Sequence, residues 1–174
     1  MTEQQRKNKI KYIIIVVVIL IIADQTVKLF ALNIQENKII LDHILQIVIL
    51  ENKGGAFGVG QNGTGTFIIT NIIVLGTILR FISMQLDKMD NKTIIMLCLI
   101  LAGGFSNLID RIFRGFVVDF INIFPNLNLP IFNFADVYIV VGWIILAAIF
   151  AIYTYKEIKE NKKSATKLLN DKKE

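Results

Sequence analysis

The sequence GGFSNLIDRIFRGFVVDFI at positions 103–121, with FNFAD at 132–136 after a loop, decides how the rest of the chain is interpreted. It lies between two long hydrophobic segments and contains three aspartates, Asp110, Asp119 and Asp136. A charge inside a bilayer costs at least about 2.5–3.5 kcal/mol on insertion scales, so an ionisable residue beside a membrane span is a candidate for function. Because Asp119 and Asp136 flank the loop, a hairpin can bring both carboxyls together at one membrane surface.

The composition indicates an integral membrane protein. Hydrophobic residues make up 54% of the 174 positions, and the mean hydropathy is +0.59, well above the usual composition of soluble proteins. A helix that crosses the bilayer needs roughly 20 apolar residues. We therefore predict an all-α membrane protein, one domain over 1–174, with four transmembrane helices and a small extracytoplasmic β-sheet between helices 1 and 2. The predicted spans are 12–32, 67–85, 94–113 and 137–155.

The segments outside the spans predict the topology. They are a tail at 1–11, a sheet with a glycine-rich segment at 33–66, a turn at 86–93, a loop at 114–136 and a tail at 156–174. Lysine and arginine concentrate in the two tails and the turn, which are therefore expected on the cytoplasmic side. The sheet and loop, with Asp119 and Asp136, are then extracytoplasmic. The alternative for the first span, a cleaved signal peptide, lacks a convincing small-residue cleavage site.

The segment between the first two spans has the pattern of a small sheet. Ile39–Leu41 and Ile44–Leu50 are short and β-branched, which predicts strands. The sequence ENKGGAFGVGQNGTG at 51–65 follows them. It lacks the Lys-Ser/Thr pair of a P-loop and the βαβ surroundings of a dinucleotide-binding fingerprint. Two interpretations stay open: a plain hairpin, or a site where an extended peptide adds to the sheet.

Several other functions are disfavoured by residue content. The basic clusters adjoin apolar spans, so they indicate membrane anchors rather than a nucleic-acid surface. The single cysteine, Cys98, lies within an apolar span, so no intrachain disulfide forms. A cysteine nucleophile is disfavoured because the single histidine, His43, is distant in sequence and no charge adjoins Cys98.

Two carboxyls held close together favour peptide hydrolysis of the aspartic type. Repulsion and desolvation separate their pKa values, so one keeps a proton while the other is ionised. The anion can activate water and the neutral acid can polarise a carbonyl. Each aspartate also has a structural interpretation: Asp136 as a helix N-cap, Asp119 as the cap or solvated end of a span, and Asp110 in an ion pair with Arg111 or Arg114.

A further pair lies in the first span. Asp24 and Lys28 are spaced i,i+4 and share one helix face. Either they form a buried ion pair that turns this face towards the protein, or they contact substrate directly. The spacing leaves both interpretations open.

Five stretches together resemble the lipoprotein signal peptidase family, also called signal peptidase II. They are DQTVK at 24–28, ENKGGAFG at 51–58, GGFSNLIDR at 103–111, GFVVDF at 115–120 and FNFAD at 132–136. The resemblance covers nearly the whole chain, from the first span to the fourth. It implies a four-helix membrane bundle in the bacterial plasma membrane. It also implies an endopeptidase that cleaves prolipoproteins before the cysteine carrying diacylglyceryl.

The same resemblance implies the site residues. The catalytic pair would be Asp119 and Asp136, with no cofactor and no metal. The partners would be diacylglyceryl-modified prolipoproteins and membrane lipids, without nucleic acid. The supporting positions would be Asp24, Lys28, Asn52, Gly55, Asn107, Asp110, Arg111 and Asn133. Two positions depart from the family pattern: Gly55, where alanine is frequent, and Ser106, where glycine is commoner.

Three other classes fit the sequence less well. Presenilin-like and prepilin-peptidase-like proteases carry a GxGD motif, which this sequence lacks. Metal-dependent enzymes acting on phospholipid head groups carry a DxxDG-type string, which is also missing. A non-enzymatic channel or scaffold would use its polar residues to line a pore or hold helices together.

Overall fold

Four long helices form the protein in a computed structural model that describes residues 1–34, 36–55 and 63–171, with side chains up to 162. They are α1 (Glu3–Leu32), α2 (Thr64–Gln85), α3 (Asn91–Phe113) and α4 (Phe134–Asp171). Each is long and apolar enough to cross a membrane, with mean hydropathy between 1.8 and 2.5 over its most apolar window. The predicted fold class is therefore confirmed. Most of the glycine-rich segment, residues 56–62, lies outside the described residues.

The helices extend beyond the predicted spans at several ends. α1 begins at Glu3, within the predicted tail, because Thr2 and Gln5 form a capping box at its N-terminus. α4 continues to Asp171 through lysine-rich sequence, since lysine and glutamate are good helix formers outside the bilayer. The predicted bounds were the ends of the apolar stretches. A helix continues past such an end until its backbone is capped, so the observed helices are longer than the predicted spans.

Helix α3 is the centre of the bundle. In its most apolar window 67% of the residues are buried, against 11–22% in the other three helices. The other helices leave large apolar side chains exposed, for example Phe30 on α1, Ile73 on α2 and Phe150 on α4, as expected for surfaces that face lipid. The polar residues at the end of α3 are consequently surrounded by protein.

Close packing of α3 against α4 depends on two glycines. A Cβ at Gly103 would overlap the carbonyl oxygen of Ala135 and lie 2.7 Å from Ile139 Cγ1. A Cβ at Gly142 would lie 2.6 Å from Ile100 Cγ1. Only glycine permits this approach of the two backbones, which brings the end of α3 against the first turn of α4.

A three-stranded antiparallel sheet lies beside this end of the bundle. Its strands are β1 (Lys38–Leu41), β2 (Leu45–Asn52) and β3 (Val117–Ile123), in the order β1-β2-β3. The two predicted strands are thus present with small shifts of their ends.

The third strand corrects the prediction for the 114–136 segment, which was expected to be a loop. Val117–Ile123 pairs with β2, and Leu50 lies opposite Asp119. The first four residues of β3 are buried, so this apolar sequence is stabilised by pairing with a distant strand rather than by a local pattern. The sheet therefore uses chain from both sides of α3.

Candidate active site

Asp119 is held in the middle of β3 and is only 1% exposed. Its Oδ2 accepts a hydrogen bond from Asn52 Nδ2 at 2.8 Å, and its Oδ1 accepts one from Asn133 Nδ2 at 2.6 Å. Asn52 lies on the neighbouring strand β2, so the sheet itself brings the amide to the carboxyl. Asp119 therefore does not cap or solvate the end of a span. Asn52, one of the supporting positions implied by the family resemblance, donates to Asp119 in this structure.

Asp136 lies in the first turn of α4, which begins at Phe134. Its backbone amide donates to Asn133 Oδ1 at 3.0 Å, and its Oδ2 accepts from the backbone amide of Asn133 at 3.1 Å. This reciprocal pair is a capping-box arrangement with Asn133 as the N-cap. The interpretation of Asp136 as the N-cap is wrong, because the helix starts one turn earlier than its apolar run. Asp136 Oδ1 also accepts from Asn107 Nδ2 at 2.8 Å.

Asn133 connects the two carboxyls, through its side chain to Asp119 and through its main chain to Asp136. Burial raises the pKa of Asp119 to about 7, and the negative charge of Asp136 adds to this increase. Hydrogen bonds from Asn52 and Asn133 act in the opposite direction. An acid with a pKa near neutrality can hold or release a proton under physiological conditions.

Lys28 lies beneath the pair and is fully buried. Its ammonium is 2.8 Å from Asp24 Oδ2 and 2.8 Å from Asp110 Oδ2, and it donates to Asn107 Oδ1 at 2.9 Å. The i,i+4 ion pair between Asp24 and Lys28 is thus formed. Because Lys28 and Asn107 meet through a hydrogen bond, the cation orients the amide that contacts Asp136.

Asp110 fastens the end of α3 to β3. Its Oδ1 pairs with Arg114, and its Oδ2 accepts from the backbone amide of Val118 at 3.2 Å. The ion-pair partner from its own helix is therefore Arg114 rather than the adjacent Arg111. Because Val118 precedes Asp119, this contact fixes the start of the strand that carries the candidate carboxyl.

Arg111 points towards the glycine-rich segment. It donates from Nη2 to Gly54 O at 3.0 Å and from Nη1 to Asn107 O at 3.4 Å, and its guanidinium lies 5.4 Å from the ring centre of Phe67. Its Nε is buried without a hydrogen-bond partner among the described residues. Arg111 thereby holds the backbone just before Gly55.

A cavity of about 250 Å³ opens over the two aspartates. Its polar lining includes six of the predicted site residues, Asn52, Gly55, Asn107, Arg111, Asp119 and Asp136. Its apolar lining includes Pro130, Phe132, Ile139 and Val140. The other four, Asp24, Lys28, Asp110 and Asn133, are fully buried behind it. The arrangement can present two carboxyls to a polar backbone while apolar chains lie alongside α4.

Two residues of this region were missed from the sequence, Gln25 and Ser106 in its contact role, while Arg114 had been named as one of two possible ion-pair partners of Asp110. Gln25 donates to Ser106 and Asp110, and Arg114 donates to Gln25. The spacing of Asp110 and Arg114 by four positions was an available signal. The contacts of Gln25 join residues 81 to 89 positions apart, which no local pattern reveals.

The remaining reactive groups lie elsewhere. His43 is exposed in the β1–β2 turn, close to Asn126, and Cys98 is buried in the core of the bundle. Within the part of the chain that is described, no three His, Cys, Asp or Glu side chains are grouped so as to hold a metal ion.

Fold and cavity together define a multi-pass membrane protein with a carboxyl pair, Asp119 buried and Asp136 half-buried, at one end of a helical bundle. The family described as Signal peptidase (SPase) II matches residues 16–152. The chain therefore belongs to the signal peptidase II family and is a peptidase.

Individual relatives agree with this assignment. The chain is 41% identical to a lipoprotein signal peptidase of Halalkalibacterium halodurans over 133 residues, 74% of this chain and 84% of the relative. It is 36% identical to one of Lactococcus lactis over 149 residues, 84% and 96% of the two chains. A bacterial membrane enzyme structure obtained by the in meso method at 2.3 Å superposes with a TM-score of 0.74 at 28% identity, covering 85% of this chain and 92% of that one. The family predicted from the five sequence stretches is confirmed.

Proposed function

We propose that this protein is an aspartic endopeptidase that removes signal peptides from bacterial prolipoproteins. It hydrolyses the peptide bond before the diacylglyceryl-modified cysteine, with Asp119 and Asp136 as the catalytic pair. The observation that carries the proposal is the joint placement of these carboxyls, both bonded to Asn133 and both lining one cavity. Membership of the signal peptidase II family supports the substrate class.

The chemistry follows from an unequal pair of carboxyls. The ionised member accepts a proton from water while the water oxygen attacks the scissile carbonyl carbon. The neutral member donates its proton to the carbonyl oxygen, which gives a tetrahedral gem-diol. The proton taken from water then passes to the leaving amide nitrogen as the C–N bond breaks, while one gem-diol hydroxyl returns its proton to the carboxylate that had protonated the carbonyl oxygen, which restores the one-proton pair. The raised pKa of Asp119 supports a pair that holds one proton at neutral pH. The two groups titrate as a coupled unit.

The apolar side of the cavity supports a lipid-bearing substrate. Ile139 and Val140 line the cavity, and Val140 is 54% exposed on a membrane-spanning helix. Acyl chains beside this face would remain in the bilayer while the peptide reaches Asp119 and Asp136. Each buried CH₂ contributes roughly 0.8 kcal/mol, so a diacylglyceryl group is a strong anchor.

The proposed location is the plasma membrane, with both termini cytoplasmic and the cavity at the extracytoplasmic face. The distribution of lysine and arginine supports this orientation. A Cys98→Ser background with Lys173→Cys tests it in intact cells. Labelling of that new cysteine by a membrane-impermeant reagent would place the C-terminus outside the cytoplasm and contradict the proposed orientation.

The deciding experiment uses purified protein and two peptides of identical sequence around the cleavage site, one with a diacylglyceryl cysteine and one without. Cleavage before the lipidated cysteine, with little cleavage of the bare peptide, is the expected result. Equal cleavage in detergent would contradict the lipid requirement. A parallel reaction with a chelator should be unchanged, and a large loss there would favour metal-dependent chemistry.

A further inference from the structure

A chain of hydrogen bonds whose donors all point towards Asp24, from both ends, runs behind the cavity, outside its lining. Arg114 Nη1 donates to Gln25 Oε1 at 2.9 Å, and Gln25 Nε2 donates to Ser106 Oγ at 2.9 Å. Ser106 Oγ donates to Asp24 Oδ2 at 2.6 Å, and Asp24 Oδ1 accepts from the backbone amide of Ala135 at 2.9 Å. The chain therefore connects the C-terminal end of α3, through α1, to the first turn of α4.

The chemistry of the end groups fixes this direction. Arginine can only donate, so the oxygen of the Gln25 amide faces Arg114 and its nitrogen faces Ser106. Because the Ser106 hydroxyl accepts from Gln25, its one proton is available for Asp24. An ionised Asp24 can only accept. Ser106 is thus a neutral hydroxyl that links the Gln25 amide donor to this carboxylate.

The far end of the chain is next to Asp136. The first N–H groups of a helix have no partner within the helix, and the amide of Ala135 obtains one from Asp24 on α1. The Lys28 ammonium nitrogen also lies 2.8 Å from Asp24 Oδ2 and forms an ion pair with it. Ser106 supplies a second donor to that oxygen, which holds the carboxylate in the orientation that reaches Ala135.

We propose that Ser106, oriented by Gln25, is a positioning residue for Asp136. Its hydroxyl fixes Asp24, Asp24 fixes the first turn of α4, and that turn places the Asp136 carboxyl opposite Asp119. The inference rests on the proposed function, since it assigns Ser106 to the placement of a proposed catalytic group. Ser106 and Gln25 do not line the cavity, so their loss should lower kcat and leave KM unchanged.

Two substitutions at Ser106 separate positioning from packing. In Ser106→Ala, a methyl group replaces the hydroxyl, so Asp24 Oδ2 keeps Lys28 but loses its second donor. Gln25 Nε2 keeps its contacts to Ser106 O and Asp110 Oδ1 but no longer orients a hydroxyl. In Ser106→Gly, the vacated space lies between polar groups and can take a water that restores both contacts. Lost hydrogen bonds to charged groups predict about a tenfold fall in kcat for Ser106→Ala. Ser106→Gly should fall at most about threefold, since water-mediated bonds are nearly as favourable.

The melting temperatures should differ less than the activities. Position 106 is in the interior of α3, where glycine is less stable than alanine by about 1 kcal/mol. Ser106→Ala avoids this loss but gives up a hydrogen bond to a charged group, which offsets the difference. Ser106→Gly should therefore be the more active enzyme without being the more stable protein. A residue that acted through packing alone would give activity losses in step with the stability losses.

The neighbouring Thr26 provides a matched control. Its hydroxyl donates to Ile22 O within its own helix at 2.6 Å, and its side chain is exposed. Thr26→Ala should keep wild-type kcat. Gln25→Leu should lower kcat at least as much as Ser106→Ala, since it also removes the contact to Asp110. Adding Ser106→Ala to Gln25→Leu should cause little further loss, because both interrupt the same chain. Gln25→Leu also keeps the test decisive where a Ser106 variant folds poorly.

The outcomes distinguish this inference from the function it rests on. If Asp136→Asn cleaved the lipidated peptide, the proposed function would be contradicted, and the inference that rests on it would be contradicted too. If Asp136→Asn is inactive, a kcat of Ser106→Ala and Gln25→Leu within about twofold of wild type would overturn the positioning role alone. A lower kcat for glycine than for alanine at position 106 would overturn it as well.

Discussion

Asn133 and Asp136 bond to each other in both directions: the Asn133 amide donates to Asp136 Oδ2 at 3.1 Å, and the Asp136 amide donates to Asn133 Oδ1 at 3.0 Å. The side-chain amide nitrogen of Asn133 donates to Asp119 Oδ1 at 2.6 Å. The same set of hydrogen bonds therefore starts helix α4 and places the carboxyl pair. A single helix-capping motif sets the relative position of the two proposed catalytic groups.

The first prediction is that Asp136→Asn and Asp119→Asn each abolish cleavage while the protein stays folded and membrane-inserted. Asparagine has nearly the size of aspartate and is well accepted at helix starts, so the cap at α4 should survive. Its amide neither accepts a proton from water at neutral pH nor donates an acid proton. Cleavage of the lipidated peptide, normalised to the folded fraction, is the measurement. Each single variant should lose about as much as the double variant, because the pair acts as a unit.

Asp90 provides the control for this prediction. It is the N-cap of α3 and accepts from the Thr93 amide at 2.8 Å, but it lies at the opposite end of α3. Asp90→Asn should retain wild-type activity. Substantial activity in Asp119→Asn or Asp136→Asn would show that the pair is not catalytic.

The second prediction concerns stability against pH. Burial and the charge of Asp136 raise the pKa of Asp119 from 3.8 to about 7. A raised folded-state pKa means that protonation favours folding. The contribution is fully present below about pH 4 and is lost as pH rises through about 7. Asp119→Asn cannot ionise, so its melting temperature relative to wild type should rise between pH 4 and pH 8.

Asp90 should show the opposite dependence. Its hydrogen bonds with Thr93 hold its pKa below the ordinary value, so its contribution is present at neutral pH and is lost on acidification. The melting temperature of Asp90→Asn relative to wild type should therefore fall as pH rises from 3 to 6. Parallel pH profiles for the two variants would contradict the assigned environment of Asp119.

The third prediction compares two ion pairs with the same i,i+4 spacing on α1. Lys28 is fully buried between Asp24 and Asp110, whereas Lys7 pairs with Glu3 on the surface, with side chains 67% and 82% exposed. Lys28→Met leaves buried carboxylates without their cation and should cost about 3–5 kcal/mol. Lys7→Met should cost at most about 0.5 kcal/mol. Unfolding in mild detergent measures both, and equal losses would refute the buried network.

The four membrane helices were predictable because an apolar stretch of this length is itself the signal. Strands β1 and β2 were predictable from β-branched residues next to glycines. β3 was not, since Val117–Ile123 follows α3 after only three residues, and its extended form depends on pairing with β2. A strand defined by a distant partner leaves little trace in the sequence around it.

The candidate site shows the same division. Asp119 and Asp136 were predictable as candidate site residues because they are charges beside membrane spans. The family resemblance then identified them as the expected catalytic pair. The role of Asn133 as N-cap was not evident, because the apolar run of α4 begins at Val137 and places the helix start too late. The contact between Gln25 and Arg114 was not predicted, because it joins residues 89 positions apart. Contacts between polar residues on separate helices depend on how those helices pack.

The last prediction tests that packing at Gly103. An alanine there would place its Cβ against the carbonyl oxygen of Ala135, a backbone atom that cannot rotate away, and 2.7 Å from Ile139 Cγ1. The first turn of α4 must then move, and Asp136 moves with it. Overpacking of this kind costs about 1–3 kcal/mol, and a displacement of roughly 1 Å at a reacting group can lower the rate about a hundredfold.

Gly76→Ala on α2 is the matched control, because no atom lies within 4 Å of the added Cβ. It should leave cleavage unchanged and raise helix stability by up to about 1 kcal/mol. We expect Gly103→Ala to lose activity by more than its folded fraction falls, when cleavage of the lipidated peptide and the melting temperature are measured on the same preparation. Activity that falls only in step with the folded fraction would mean that α4 is not what positions Asp136. Near wild-type values for Gly103→Ala in both measurements would mean that the close approach of α3 and α4 is absent from the active protein.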